Sequence, residues 1–231
     1  MENHAKYGDT IYFHDDNTLF VNLFIASELT WPEKGLTLRQ ETAFPQEDKT
    51  HLSLHCEQQV QLALKVRYPA WAQGVHILIN GQPVTVGASA DSYVTIDRVW
   101  QDGDTVEVQL PMTLHLEALP GAPDKVAVLY GPIVLAGALG TQDMPDDLLH
   151  DYHVREAPLN RLPTPPVPVL VGTEQMVLAG IHPVEGKPLT FQTTGIGSPN
   201  DVELVPFYRL HHQRYTVYWQ LTGETENQAQ A

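Results

Sequence analysis

Between residues 50 and 116, apolar and polar side chains exchange places at nearly every position. Val60, Leu62, Leu64, Val66 and Tyr68 alternate with Gln61, Ala63, Lys65 and Arg67. Leu52, Leu54 and Cys56 alternate with His51, Ser53 and His55. A period of two places one set of side chains on one side of an extended chain and cannot line one face of a helix. Val75–Ile79, Pro83–Val86, Tyr93–Ile96, Thr105–Leu110 and Leu114–Leu116 continue the pattern. Between them stand Asn80-Gly81, a dipeptide that suits a type I′ hairpin turn, and Asp102-Gly103, a second tight-turn signal. Strands spaced this closely and separated by turn chemistry predict an all-β chain. The expected architecture is an antiparallel, jelly-roll-like β-sandwich followed by a second, smaller β-domain. The 18 prolines and 16 glycines punctuate the chain in keeping with short strands rather than long helices.

Other segments are less regular. Met1–Tyr7 is expected to be a helical turn stopped by Gly8, followed by a strand at 11–13 and a turn at Asp15–Thr18. Thr18–Ile25 is almost continuously apolar, as in a strand buried on both faces. Val126–Ala136 is also apolar except at Gly131-Pro132, and is expected to form a central strand with a bend or bulge. Asp143, Asp146, Asp147 and Asp151, then Pro163, Pro165, Pro166 and Pro168, interrupt the pattern. The expected division is a first segment at 1–18, a β-sandwich at 19–140, an acidic and proline-rich linker at 141–168, a second β-domain at 169–221 and a disordered tail at 222–231.

Charge narrows the class of partner. The formal net charge is −15, from 13 basic and 28 acidic side chains. Such a surface repels phosphate backbones and anionic lipid, so neither nucleic acid nor a membrane is an expected partner. No run of 18 apolar residues is present, and residues 1–20 lack the basic and apolar regions of a signal peptide. Location is left open between the cytoplasm, the periplasm and secretion. A single cysteine, Cys56, permits neither an intrachain disulfide nor a zinc–thiolate cluster.

Several groups of residues invite a chemical reading. His51-x-Ser-x-His55 puts two imidazoles on one strand face, but two histidines lack the third ligand of a metal site, and a solvated face is preferred. His14-Asp15-Asp16 lacks the repeated acidic spacing of a calcium loop and reads as a turn closed by Asx side chains, as does Asp102-x-Asp104. Cys56 falls on the apolar side of its strand, as a small buried hydrophobe does. Gly195-Ile-Gly197 lacks the lysine and the following helix of a phosphate loop. Trp31, Trp71, Trp100 and Trp219 could stack on sugar rings, although core packing is the commoner use of such residues. In Phe207–Trp219 the alternation is expected to place Tyr215, Val217 and Trp219 on one face of a closing strand, with Arg209 and Arg214 pairing local acids. The many carboxylates offer no way to select a hydrolytic pair. No catalytic, cofactor-binding or metal residue is assigned.

The order of motifs resembles one enzyme family. Glu2–His14, Leu19–Trp31, Leu36–Pro45, Tyr68-Pro-Ala-Trp71, Ile79-Asn-Gly81, Gly103–Val106 and Leu204–His211 together resemble the carboxy-terminal part of the β-L-arabinofuranosidase-like glycoside hydrolases, family 127 and its relatives. The resemblance implies that an (α/α)6 barrel carries catalysis through a zinc-bound cysteine nucleophile, and that β-sandwich domains follow it. Residues 1–18 would then be a remnant of that barrel and its connector. None of the catalytic cysteines has a counterpart here, and Cys56 matches no catalytic position. The resemblance therefore implies an accessory β-sandwich region of a bacterial glycoside hydrolase acting on plant-type or arabinose-containing glycans. That region would be inactive alone, without a cofactor of its own, with the missing barrel as its partner. The alternative is a self-sufficient carbohydrate-binding or protein-interaction module.

Overall fold

The computed structural model describes residues 3–144 and 165–223. The core of the expected linker (145–164) and the last residues of the expected tail (224–231) lie outside the described residues. The chain divides into two compact units, Met1–Thr113 and Leu114–Ala231. The division between the compact units falls between Thr113 and Leu114, whereas the expected sandwich extends to 140.

Unit 1 opens with a short helix, α1 (Asn3–Asp9), which runs through Gly8 and ends where Thr10 Oγ1 donates to the carbonyl oxygens of Lys6 and Tyr7. Ten strands follow: β1 (Tyr12–His14), β2 (Thr18–Val21), β3 (Ser27–Trp31), β4 (Leu36–Thr42), β5 (Lys49–Cys56), β6 (Val60–Tyr68), β7 (His76–Ile79), β8 (Gln82–Val84), β9 (Ser92–Trp100) and β10 (Thr105–Gln109). They form a four-stranded sheet in the order β1-β2-β6-β9 and a six-stranded sheet in the order β3-β4-β5-β10-β7-β8. One continuous apolar core lies between the sheets. It contains Leu38, Leu52, Val106 and Val108 from the larger sheet and Leu19, Leu62, Leu64, Val66 and Trp100 from the smaller. This is the β-sandwich that the alternation requires, and β6 shows why, being buried at every even position from Val60 to Tyr68.

Two details depart from expectation. The strand within Thr18–Ile25 ends at Val21 and is half-buried, because Phe20 turns to the outer face while Leu19 and Val21 enter the core. It also pairs in parallel with β6, Val21 opposite Val66, in an otherwise antiparallel unit. Asn80 (φ 51°) and Gly81 (φ 76°) both adopt positive φ between β7 and β8, as a type I′ hairpin requires. Pro83 is tolerated because β8 is the edge strand.

Unit 2 contains β11 (Leu114–Leu119), β12 (Ala122–Tyr130), β13 (Ile133–Gly140), β14 (Val169–Val171), helix α2 (Glu174–Ala179), β15 (Ile181–Pro183), β16 (Phe191–Thr193), β17 (Gly197–Ser198), β18 (Glu203–Pro206), β19 (Arg214–Thr216) and β20 (Tyr218–Thr222). The main sheet order is β15-β16-β18-β13-β12-β20-β14-β17, with β11 also on β12 and β19 also on β13. Val126–Ala136, expected as one bent strand, is a hairpin: Tyr130 pairs with Ile133 across Gly131-Pro132, and Gly131 has φ 54°. A run of apolar residues has the same period whether the chain bends or reverses, so only the turn residues could have shown the reversal. α2 begins at Thr173, whose hydroxyl accepts from the Met176 amide.

The core of unit 2 gathers Val126, Val128, Ile133, Leu135, Phe191, Leu204 and Trp219. Trp219 is fully buried and brings the Cη2–Cζ2 edge of its indole against Gly137, where an added Cβ would stand 2.3 Å from Cη2. The closing segment is therefore not one strand. Phe207–Arg209 forms a 3₁₀ turn, β19 pairs with β13, and β20 pairs with β12. The transfer between neighbours breaks the alternation at Val217, so Tyr215 is exposed while Trp219 is buried.

Candidate functional site

Most residues singled out from the sequence serve as structural ties. His51 and His55 both point to the exposed face of the six-stranded sheet. His55 Nδ1 lies 2.5 Å from Asp102 Oδ1, and the same carboxylate accepts from the Cys56 amide. The Cys56 amide and then the imidazole hold the Asp102 carboxyl below its usual range, and they fasten the 101–104 turn to the end of β5. No third ligand converges there: among the described residues, no group of three histidine, cysteine or acidic side chains could hold a metal ion.

Asp104 is buried and ties two hairpins. It accepts from Asn80 Nδ2 at 2.7 Å and from the Gln101 amide at 2.9 Å, while Arg98 lies 3.7 Å away. Asn80 Oδ1 in turn accepts from the Thr105 amide. Asp15 closes its own turn by accepting from the Asn17 amide, which lowers its carboxyl pKa. His14 packs its ring against Trp31 at 4.4 Å. Asp15 makes the Asx turn expected of it, whereas Asp104 reaches back to Gln101 and across to Asn80 instead.

Gly195-Ile-Gly197 explains its glycines without a phosphate. Asp201 turns back and accepts from the amides of Gly195 (2.7 Å), Gly197 (2.8 Å) and Ile196 (3.3 Å), and from the Thr193 hydroxyl at 3.0 Å. Partial burial alone would raise this carboxyl, but the backbone donors outweigh it and lower the pKa. The loop is an anion-binding nest filled by the chain's own carboxylate. Gly197 must lack a side chain, since a Cβ would lie 2.5 Å from the Asn200 carbonyl oxygen.

Cys56 does not fit a zinc-thiolate role. It is buried, and burial first, then the nearby charges of Asp102 and Asp104, raise its thiol pKa, whereas a metal ligand must ionise. The tryptophans divide the same way. Trp100 is fully buried and donates to the Leu62 carbonyl, and Trp71 stacks on Phe44 at the end of the core. None is a free platform.

What remains is surface. In unit 1 the outer face of the four-stranded sheet carries Phe13 and Val99, both exposed, and Phe20 edge-on to Tyr93 at 5.4 Å with Lys65 Nζ 5.0 Å over the Phe20 ring. In unit 2 the closing segment exposes Phe207 (43%), Tyr208 (47%), Tyr215 (47%) and Tyr218 (50%). Phe207 and Tyr215 meet at 5.2 Å, and Arg209 lies over Tyr208 at 5.6 Å. Among the described residues Arg209 and Arg214 pair no acid: Arg209 donates to the Pro188 carbonyl and Arg214 to the Gln142 carbonyl. Alternation alone could not find this surface, because it forms where the strand is broken. Among the described residues no helix is long and apolar enough to cross a membrane.

Comparison with known proteins agrees with the two units. Residues 18–112 match the family model described as the beta-L-arabinofuranosidase GH127 middle domain, and residues 115–221 match a domain of unknown function. No curated protein sequence matches. Three solved structures share the fold. One is a GH127 beta-L-arabinofuranosidase from Geobacillus stearothermophilus T6, with a TM-score of 0.65 and 20% identity over 94% of this chain and 36% of that one. Another is a glycoside hydrolase with a TM-score of 0.61 and 22% identity, covering 91% of this chain and 37% of that one. The third is a GH127 beta-arabinofuranosidase with the same score and identity, covering 92% and 37%. The chain thus spans little more than a third of each of these solved chains; residues 18–112 resemble the GH127 middle domain, and the likeness in fold extends over both units.

Proposed function

We propose that this chain is the accessory β-region of a glycoside hydrolase that acts on arabinose-containing glycans, and that it has no hydrolytic activity alone. The observation that supports the reading most directly is the match of residues 18–112 to the GH127 middle domain, together with coverage of little more than a third of the solved relatives. Within the chain, the residues of chemical interest are engaged in turns and core. Cys56, the single cysteine, is buried with a raised pKa. The exposed apolar face built from Phe13, Phe20, Tyr93 and Val99 is the surface expected to dock the catalytic barrel.

The test has two parts. Incubation of the purified chain with a β-L-arabinofuranoside should release no arabinose, and release above a heat-treated control would overturn the reading. The coding sequence immediately upstream of Met1 should encode a paired-cysteine stretch and an (α/α)6 barrel, and an upstream region without them would also overturn it.

A further inference from the structure

The closing segment of unit 2 has a composition unlike the rest of the chain. Residues 204–223 contain no Asp or Glu, although the chain has 28 of them, and they hold Arg209, His211, His212 and Arg214. Three of its aromatic rings, Phe207, Tyr208 and Tyr215, are close to half exposed. In a chain of net charge −15 this is a basic and aromatic island.

Its geometry is held from below. Leu210 is buried beside the 3₁₀ turn Phe207–Arg209, and β19 is fixed by pairing Tyr215 opposite Ala138 of β13. Phe207 and Tyr215 meet at 5.2 Å and 56°, which leaves the two rings as adjoining walls of a corner. Arg209 spends Nη1 on the Pro188 carbonyl, 3.0 Å away. A guanidinium has five N–H donors, so others remain for an incoming carboxylate. Anchored at one nitrogen, the guanidinium loses less freedom on binding.

We propose that this surface binds an acidic carbohydrate, a glycan bearing uronate groups. The apolar C–H face of a sugar ring would lie against Phe207 and Tyr215, and its carboxylate would be met by Arg209 and His211. That the ligand is a carbohydrate rests on the function proposed above, and the preference for an acidic one rests on the charge of the patch. A neutral sugar would accept only the weaker hydrogen bonds to uncharged oxygens from the arginine. A nucleic acid, with one charge every ~1.7 Å of duplex, would be repelled by the acidic remainder of the chain far more than a short oligosaccharide would.

The experiment is an amide NMR titration of the 231-residue chain with tetragalacturonate, with a neutral arabinofuranose tetrasaccharide as comparator. Shifts should concentrate at residues 207–215, and the neutral sugar should bind about tenfold more weakly, a difference of ~1.4 kcal/mol. Phe207→Ala and Arg209→Gln should each weaken tetragalacturonate binding by about tenfold, as expected for a stacked ring or a charged hydrogen bond. Absence of shifts at millimolar sugar, shifts confined to unit 1, or equal affinity for the neutral sugar would each overturn the proposal. The wild-type shift map decides the matter even if a variant does not fold. Neither the hydrolysis assay nor the upstream coding sequence bears on it, so the two readings fail separately.

Discussion

Replacing Gly137 by alanine should reveal how closely unit 2 is packed. The backbone there does not need a positive φ, so alanine would ordinarily be neutral or slightly stabilising through the unfolded chain. Here the new methyl would stand 2.3 Å from Cη2 and 2.6 Å from Cζ2 of Trp219, where ordinary contact begins at 3.4 Å. The indole is fully buried, and a close-packed interior has no space to receive a displaced ring. Overpacking of this kind costs about 3 kcal/mol. Trp219→Phe removes the two atoms that clash, and with them an indole N–H that has no hydrogen-bond partner among the described residues. In that background the same glycine change should cost about 1 kcal/mol or less, a coupling of roughly 2 kcal/mol. Urea unfolding followed by far-ultraviolet circular dichroism, fitted with separate transitions for the two units, supplies the four free energies of the cycle. A cost below about 1 kcal/mol for Gly137→Ala, or an equal cost in both backgrounds, would refute the packing described.

Three further outcomes are expected. Because the folded pKa of Asp201 is lowered, its contribution is present above the unfolded carboxylate value of ~3.9 and is lost as pH falls through the folded value. Asp201→Asn should therefore cost about 1–2 kcal/mol at pH 7, a modest figure because the carboxylate is exposed, and the gap should close in acid; urea unfolding at several pH values would show a constant gap if the reasoning is wrong. Asp104→Ala leaves the Gln101 amide and Asn80 Nδ2 without their acceptor and should lower the urea midpoint of unit 1 by the equivalent of about 2 kcal/mol, with unit 2 unaffected. Cys56 should react with a thiol-specific disulfide reagent at pH 8 only after denaturant is added, and prompt labelling of the native chain would contradict its burial.

The parts of the fold that were legible from the sequence are those in which one face of a strand is solvated. β5 and β6 alternate cleanly, and their limits could be read from residue types alone. The Asn80-Gly81 turn was legible because its chemistry is nearly specific to one geometry. What was not legible was where a continuous apolar run ends, reverses or changes neighbours. In β12 and β13 the apolar residues continue through a chain reversal. Parallel pairing of β2 with β6 leaves no local signature, since the partners lie far apart in sequence. The solvated histidines and the Asx turns of the candidate site were readable as such. The exposed aromatic corner was not, because it depends on β19 and β20 joining different neighbours.

The parallel pair also sets an order of events. β2 can form a hairpin with β1 at once, but the β1–β2 pair joins the rest of its sheet only when β6 exists, and β6 is itself held along its full length by β9, from Val60 opposite Trp100 to Tyr68 opposite Ser92. The first hairpin of the unit must therefore wait for β6 before Leu19 and Val21 are covered, and β6 gains its second neighbour only with β9. Closing so long a loop is slow compared with closing a hairpin. During synthesis this stretch is the portion of unit 1 most open to capture by a chaperone or by a neighbouring chain.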